Sequence, residues 1–195
     1  MKRSSKGARL FAALTLPPGA ALELHSWARS WLAGEGVRLL DPQSLHITLC
    51  FLGERPFTEI DALRDAIESL DVSLPTVVVG APTLLPKRSP RTAGVSVGDP
   101  DGAIAGLRGD VERTLAGAGS WRPSRRAFHP HITLARIRFG TVLGAAPLTP
   151  SLQFEPASLD LIRSRLEPSG AIYETLARAT LSSAQEVAHS VRSER

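Results

Sequence analysis

The chain has 195 residues, 43% of them apolar, and a formal net charge of +4. That length buries one substantial core and fits one domain. The single cysteine, Cys50, excludes an intrachain disulfide framework, and no apolar run is long enough to cross a bilayer, so a cytoplasmic protein without membrane contact is expected, as a monomer.

Residues 1–8 read as a basic N-terminal tail and 10–16 as an apolar first strand. Together they imitate a secretory leader, but the apolar run is short. A helix is expected over 19–33, entered through Pro17-Pro18, closed near Gly34 and carrying Leu24, Trp27 and Trp31 on one stripe. Asp41-Pro42 is a turn. Thr58-Glu59-Ile60-Asp61 resembles a capping box, followed by the stripe Ile60, Leu63, Ile67 and Leu70 of a second helix. A β-branched strand follows at 75–80, then a loop-rich crossover at 82–90 and a strand at 93–97. The third helix, 101–116, places Ile104, Leu107, Val111 and Leu115 on one stripe and closes at Gly117 and Gly119. Residues 139–150 are irregular. Two late strands, 159–165 and 172–181, are joined through Pro168-Ser169-Gly170, and 182–195 is a polar tail.

One tetrapeptide occurs twice: His46-Ile47-Thr48-Leu49 and His131-Ile132-Thr133-Leu134. Alternate residues of a strand share a face, so each copy presents one imidazole and one hydroxyl together. Leu45, Ile47 and Leu49 point the other way, into a core, as do Ile132 and Leu134. A strand and a helix precede each copy, with Phe11 to His46 spanning 35 positions and Val95 to His131 spanning 36. The repeat implies an α+β fold of two pseudo-symmetric lobes, residues 9–181, with antiparallel sheets lining a central cleft and helices on the outer faces. Two histidines and two hydroxyls in one cleft suit acid–base chemistry on a phosphodiester without a metal.

With its two H-x-T-x motifs, the chain resembles the two-histidine (2H) phosphoesterase superfamily, and within it the LigT/ThpR-like RNA 2′,3′-cyclic phosphodiesterases. The likeness extends from Arg9-Leu10-Phe11-Ala12-Ala13-Leu14 through Phe51-Leu52-Gly53-Glu54 and Phe128-His129-Pro130 to Arg163-Ser164-Arg165-Leu166, Gly170 and Tyr173. The resemblance implies hydrolysis of an RNA or nucleotide 2′,3′-cyclic phosphate to a 2′-phosphate, with no cofactor and no metal. It implies His46 as proton donor to the leaving oxygen and His131 as the base that activates water. The residues alone leave these roles interchangeable, because the motifs are identical. Thr48 and Thr133 are the expected donors to the phosphate oxygens. Arg136 is a further phosphate ligand in the family context, but strict alternation turns it away from the His131 face, so that role requires a bulge or a strand end. Joining of cyclic-phosphate and 5′-hydroxyl RNA ends, and RNA or nucleotide binding without turnover, are the alternative activities.

Arginine supplies 20 of the 23 basic residues, as high-GC coding favours, so total charge says little about a polyanionic partner. The clusters Lys87-Arg88-Ser89-Pro90-Arg91 and Arg122-Pro123-Ser124-Arg125-Arg126 are more specific phosphate contacts. Cys50 shares parity with His46 and Thr48 and is expected to line the cleft. Trp27, Trp31, Phe51 and Tyr173 are expected in the core. His129 and His131 are too few ligands for zinc, so His129 is read as orienting its strand. His25 is expected on a helix surface.

Overall fold

Along β1 (Gly7–Thr15), Leu10, Ala12 and Leu14 face one side and join the main core. Phe11 and Ala13 face the other side and form a small second cluster with Ile162, against which Tyr173 packs. This division recurs through the fold: one face of a large sheet is covered by helices, and the other face is a cleft. The computed structural model describes residues 7–167 and 170–182. The remaining elements are α1 (Pro18–Trp31), β2 (Val37–Leu39), a single 3-10 turn at Pro42–Ser44, β3 (His46–Pro56), α2 (Phe57–Glu68), β4 (Asp71–Val72), β5 (Val77–Leu85), β6 (Thr92–Gly98), α3 (Ala103–Ala118), β7 (His131–Ile137), β8 (Gln153–Phe154), β9 (Ser158–Glu167), β10 (Gly170–Arg178) and β11 (Thr180–Leu181).

The sheet runs β10-β9-β1-β3-β7-β6-β5-β8, with β2 also on β7, while β4 and β11 form a separate parallel pair. Its order is symmetric about the β3–β7 junction. β1 pairs antiparallel with β3 as β6 does with β7, and β9 flanks β1 as β5 flanks β6. The expected α+β repeat is therefore present, as two halves of one open sheet. Its register differs from the spacing argument: Leu14 pairs with Ile47 and Val95 with Ile132, so Leu14, not Phe11, is the counterpart of Val95. The helices bury the apolar stripes read from sequence, Leu63 and Ile67 from α2 and Ile104, Leu107, Val111 and Leu115 from α3. No helix among the described residues is long and apolar enough to cross a membrane.

Several expectations shift. The N-terminal strand begins at Gly7, and Ala8 is already buried in it. Residues 1–6 and 183–195, and Pro168 and Ser169 of the expected late turn, lie outside the described residues. The crossover 82–90 is half strand, because β5 continues to Leu85 and pairs Leu85 with Thr92. The capping box does not form. Pro56 is the N-cap of α2, and Glu59 instead accepts from Ser120 Oγ at 2.6 Å and lies 3.9 Å from Arg55, tying α2 to the end of α3. Helix α3 is capped from outside by Asp99, whose carboxylate accepts from the Ile104 and Ala105 N–H groups at 2.9 Å each. The last strand breaks at Ala179, where β10 ends and β11 joins β4. Trp27 and Trp31 are only partly buried. Their indole N–H groups donate to Leu148 O at 2.9 Å and Gly144 O at 3.0 Å, pinning the irregular segment after β7 onto α1.

Candidate active site

His46 opens β3 and His131 opens β7. The two strands meet antiparallel at Ile47 and Ile132, the residues between each histidine and its threonine. Both isoleucines are fully buried on the helix side. The pairing therefore brings His46, Thr48, His131 and Thr133 to the opposite face. All four line one cleft of about 740 Å³.

Each imidazole is held in the same way. His46 Nδ1 lies 2.7 Å from Ser44 O, and His131 Nδ1 lies 2.8 Å from His129 O, each carbonyl being two residues upstream. A carbonyl only accepts, so Nδ1 donates and carries a hydrogen in both bonds. That leaves Nε2 as the nitrogen that gains and loses a proton. His129 thus orients the second histidine through its backbone, while its own ring is exposed.

Immediately after each threonine the strand bulges. In β3 the register with β1 passes from Thr48–Ala13 to Cys50–Ala12, skipping Leu49. In β7 the register with β6 passes from Thr133–Gly94 to Ala135–Ala93, skipping Leu134. Two successive residues, Leu49 and Cys50 or Leu134 and Ala135, then face the core, and the next side chain is returned to the cleft. Arg136 is that residue in β7 and Phe51 is its equivalent in β3, and both line the cleft. The bulge Arg136 required is present. The same device overturns two expectations. Cys50 is turned out of the cleft and buried, its thiol pushed up to about 12 by burial and then by Glu112, so it is no nucleophile. Phe51 is 65% exposed at the cleft wall instead of packing in the core. Gly94 is dictated by the approach of β7: a Cβ there would collide with Ile132 O, beside Thr133.

The two histidines sit in unlike surroundings. The His46 ring lies 4.8 Å from Phe11 and 5.4 Å from Tyr173, the latter edge-on. Burial among these rings lowers its pKa. The bond to Ser44 opposes that shift, while the charges of Arg136 and His131 reinforce it. Thr92, Gly94 and Ser96 of β6 occupy the positions beside β7 that Phe11, Ala13 and Thr15 of β1 occupy beside β3. Thr92 thus stands in the second lobe where Phe11 stands in the first, and β6 offers His131 no aromatic ring. Tyr173, expected in the core, is half-buried against Phe11 and also lines the cleft.

Sequence reasoning missed Arg9 and Arg38 as cleft residues. From the basic cluster at 87–91, Arg91 lines the cleft. Arg38 belongs to β2, a three-residue strand with no periodicity to read. Among the described residues no group of three or more His, Cys, Asp and Glu is placed to hold a metal.

No family model matches the chain. Over 183 residues, 89% of this chain and 90% of its relative, it is 31% identical to an RNA 2′,3′-cyclic phosphodiesterase of Thermus thermophilus. The chain belongs to this family. A second RNA 2′,3′-cyclic phosphodiesterase, of Aeropyrum pernix, is 30% identical over 73% of this chain and 85% of its own. The crystal structure of E. coli LigT complexed with 3′-AMP superposes with a TM-score of 0.74 at 26% identity, covering 91% of this chain and 99% of LigT. The LigT-like 2H phosphoesterase relationship read from the paired motifs therefore holds across nearly the whole chain.

Proposed function

We propose that the protein hydrolyses 2′,3′-cyclic phosphate ends of RNA to 2′-phosphates, using His46 and His131 as an opposed acid–base pair and no metal. One observation carries this reading: both imidazoles are bound at Nδ1 by a backbone carbonyl, so both keep Nε2 for proton transfer at a shared cleft. In the proposed step, His131 Nε2 takes a proton from water as the water oxygen bonds to phosphorus. The phosphorus–O3′ bond breaks, and His46 Nε2 gives its proton to O3′. Thr48, Thr133 and Arg136 stabilise the charge that grows on the non-bridging oxygens. His46 must enter this step protonated although its surroundings lower its pKa. The substrate supplies the correction, because an anionic phosphodiester beside the ring favours the imidazolium. Phe51, exposed beside Phe11 at a centroid distance of 6.1 Å, offers a face for the base of the terminal nucleotide.

The test is a product assay on an RNA ending in a 2′,3′-cyclic phosphate, run in EDTA and resolving 2′- from 3′-phosphate. The expected result is undiminished conversion to the 2′-phosphate. Activity lost in chelator and restored by a divalent ion, or a 3′-phosphate product, would overturn the proposed mechanism.

A further inference from the structure

A cyclic phosphodiester carries one negative charge, whereas the cleft is lined by four arginines, Arg9, Arg38, Arg91 and Arg136, against one carboxylate, Glu167. The proposed reaction uses only Arg136. Arg91 is held in place by neighbours on several sides. Its N–H donates to Leu85 O and its carbonyl accepts from the Ile137 N–H, both at 2.8 Å. Its guanidinium carbon lies over the Phe139 ring, 5.1 Å from the centroid. Phe139 is 70% exposed, so core packing does not account for it. Among the described residues the Arg91 guanidinium has no carboxylate and no hydrogen-bond acceptor. A planar cation held on an aromatic face, its N–H edges uncommitted, suits a phosphate.

Its place just before β6 says which phosphate. Gly94 pairs with Thr133 and Thr92 with Arg136. Arg91 lies three residues from Gly94, roughly 10 Å along the chain at strand rise. That is beyond the threonine that faces the reacting group. We propose that Arg91, braced by Phe139, binds the phosphodiester on the 5′ side of the terminal nucleotide. The cleft thereby selects an oligonucleotide end over a lone nucleoside 2′,3′-cyclic phosphate. This rests on the cyclic phosphodiesterase reading above and specifies its substrate.

Three substrates test it: a nucleoside 2′,3′-cyclic phosphate, a dinucleotide with the same end, and that dinucleotide with a neutral methylphosphonate linkage. The protein should prefer the native dinucleotide to the other two by about tenfold in kcat/KM, the value of a part-exposed charged contact. The preference should lie in KM. Arg91→Gln should abolish it while leaving the nucleoside substrate unaffected. Phe139→Ala should weaken it roughly threefold and Phe139→Tyr should keep it. Equal losses on all three substrates in Arg91→Gln would place Arg91 on the reacting phosphate and overturn the proposal. So would unchanged kinetics, or a preference that survives the neutral linkage. If the unaltered protein turns over none of the three, the cyclic phosphodiesterase reading fails instead. Binding of the 2′-phosphorylated dinucleotides, native against methylphosphonate, in the unaltered protein and Arg91→Gln, then decides the charge contact on its own.

Discussion

Ile47 and Ile132 stand opposite each other, the one register pair recorded between β3 and β7, and neither is exposed at all. The relative placement of the two His-Ile-Thr-Leu motifs passes through this contact. Ile132→Val should cost about 1 kcal/mol and Ile132→Ala about 3 kcal/mol of stability. Each should lower kcat more than it raises KM, because the opposed histidines lose their spacing. Denaturant melts and steady-state kinetics on the same samples check this. A destabilised Ile132→Ala with unchanged kcat would show that the junction does not set the site.

The histidines should act as a unit. The pH–rate profile should be a bell, since only one protonation state of the pair is productive. His46→Ala and His131→Ala should each be severely impaired, and the double variant should be little worse than the poorer single. A substrate with a good leaving group should partly rescue His46→Ala, the variant without the proposed proton donor, but not His131→Ala. Rescue of His131→Ala alone would reverse the roles.

The aromatic surroundings of His46 give a second, independent assignment. Burial lowers its pKa, so Phe11→Ala, by letting water reach the ring, should raise it. Only the singly protonated pair reacts, so the histidine with the lowered pKa governs the acid limb of kcat/KM whichever role it has. The acid limb should therefore move to higher pH in Phe11→Ala. With His46 as acid, the productive form becomes more populated and the plateau of kcat/KM should rise as well. A shifted acid limb with an unchanged plateau would make His46 the base.

Cys50 should be inert in the folded protein. With its thiol pushed up to about 12, almost none is thiolate near neutrality. Iodoacetamide at pH 8 should leave the native protein unmodified and active, and should label it once denatured. Rapid native labelling with loss of activity would contradict the burial seen here.

Much of this site was legible because the motif occurs twice. His46 and Thr48, and His131 and Thr133, share parity within short strands, and the repeat implied that the two strands line one cleft. Arg136, Cys50 and Phe51 were harder for one reason: all lie beyond the bulge. A bulge inverts every assignment after it, and Leu49-Cys50 and Leu134-Ala135 are apolar pairs that a continuous strand also tolerates. The helices α2 and α3 announced themselves through stripes of Leu, Ile and Val. The start of α2 did not, because Glu59 pairs in space with Ser120, a partner no local pattern reveals. β2, β4, β8 and β11 are two or three residues long and owe their form to a neighbouring strand.

The equivalence of Phe51 and Arg136 also gives the cleft a direction. The paired His and Thr side chains alone look the same after a half-turn, so a bound phosphate has no reason to prefer one way round. A flat ring on one strand and a cation on the other break that tie. In the proposed reaction a nucleotide is itself lopsided, with its base on one flank of the reacting phosphate, so only the orientation that sets the base on Phe51 leaves the phosphate to Arg136. Two strands alike in their first four residues thereby acquire opposite duties from the sixth.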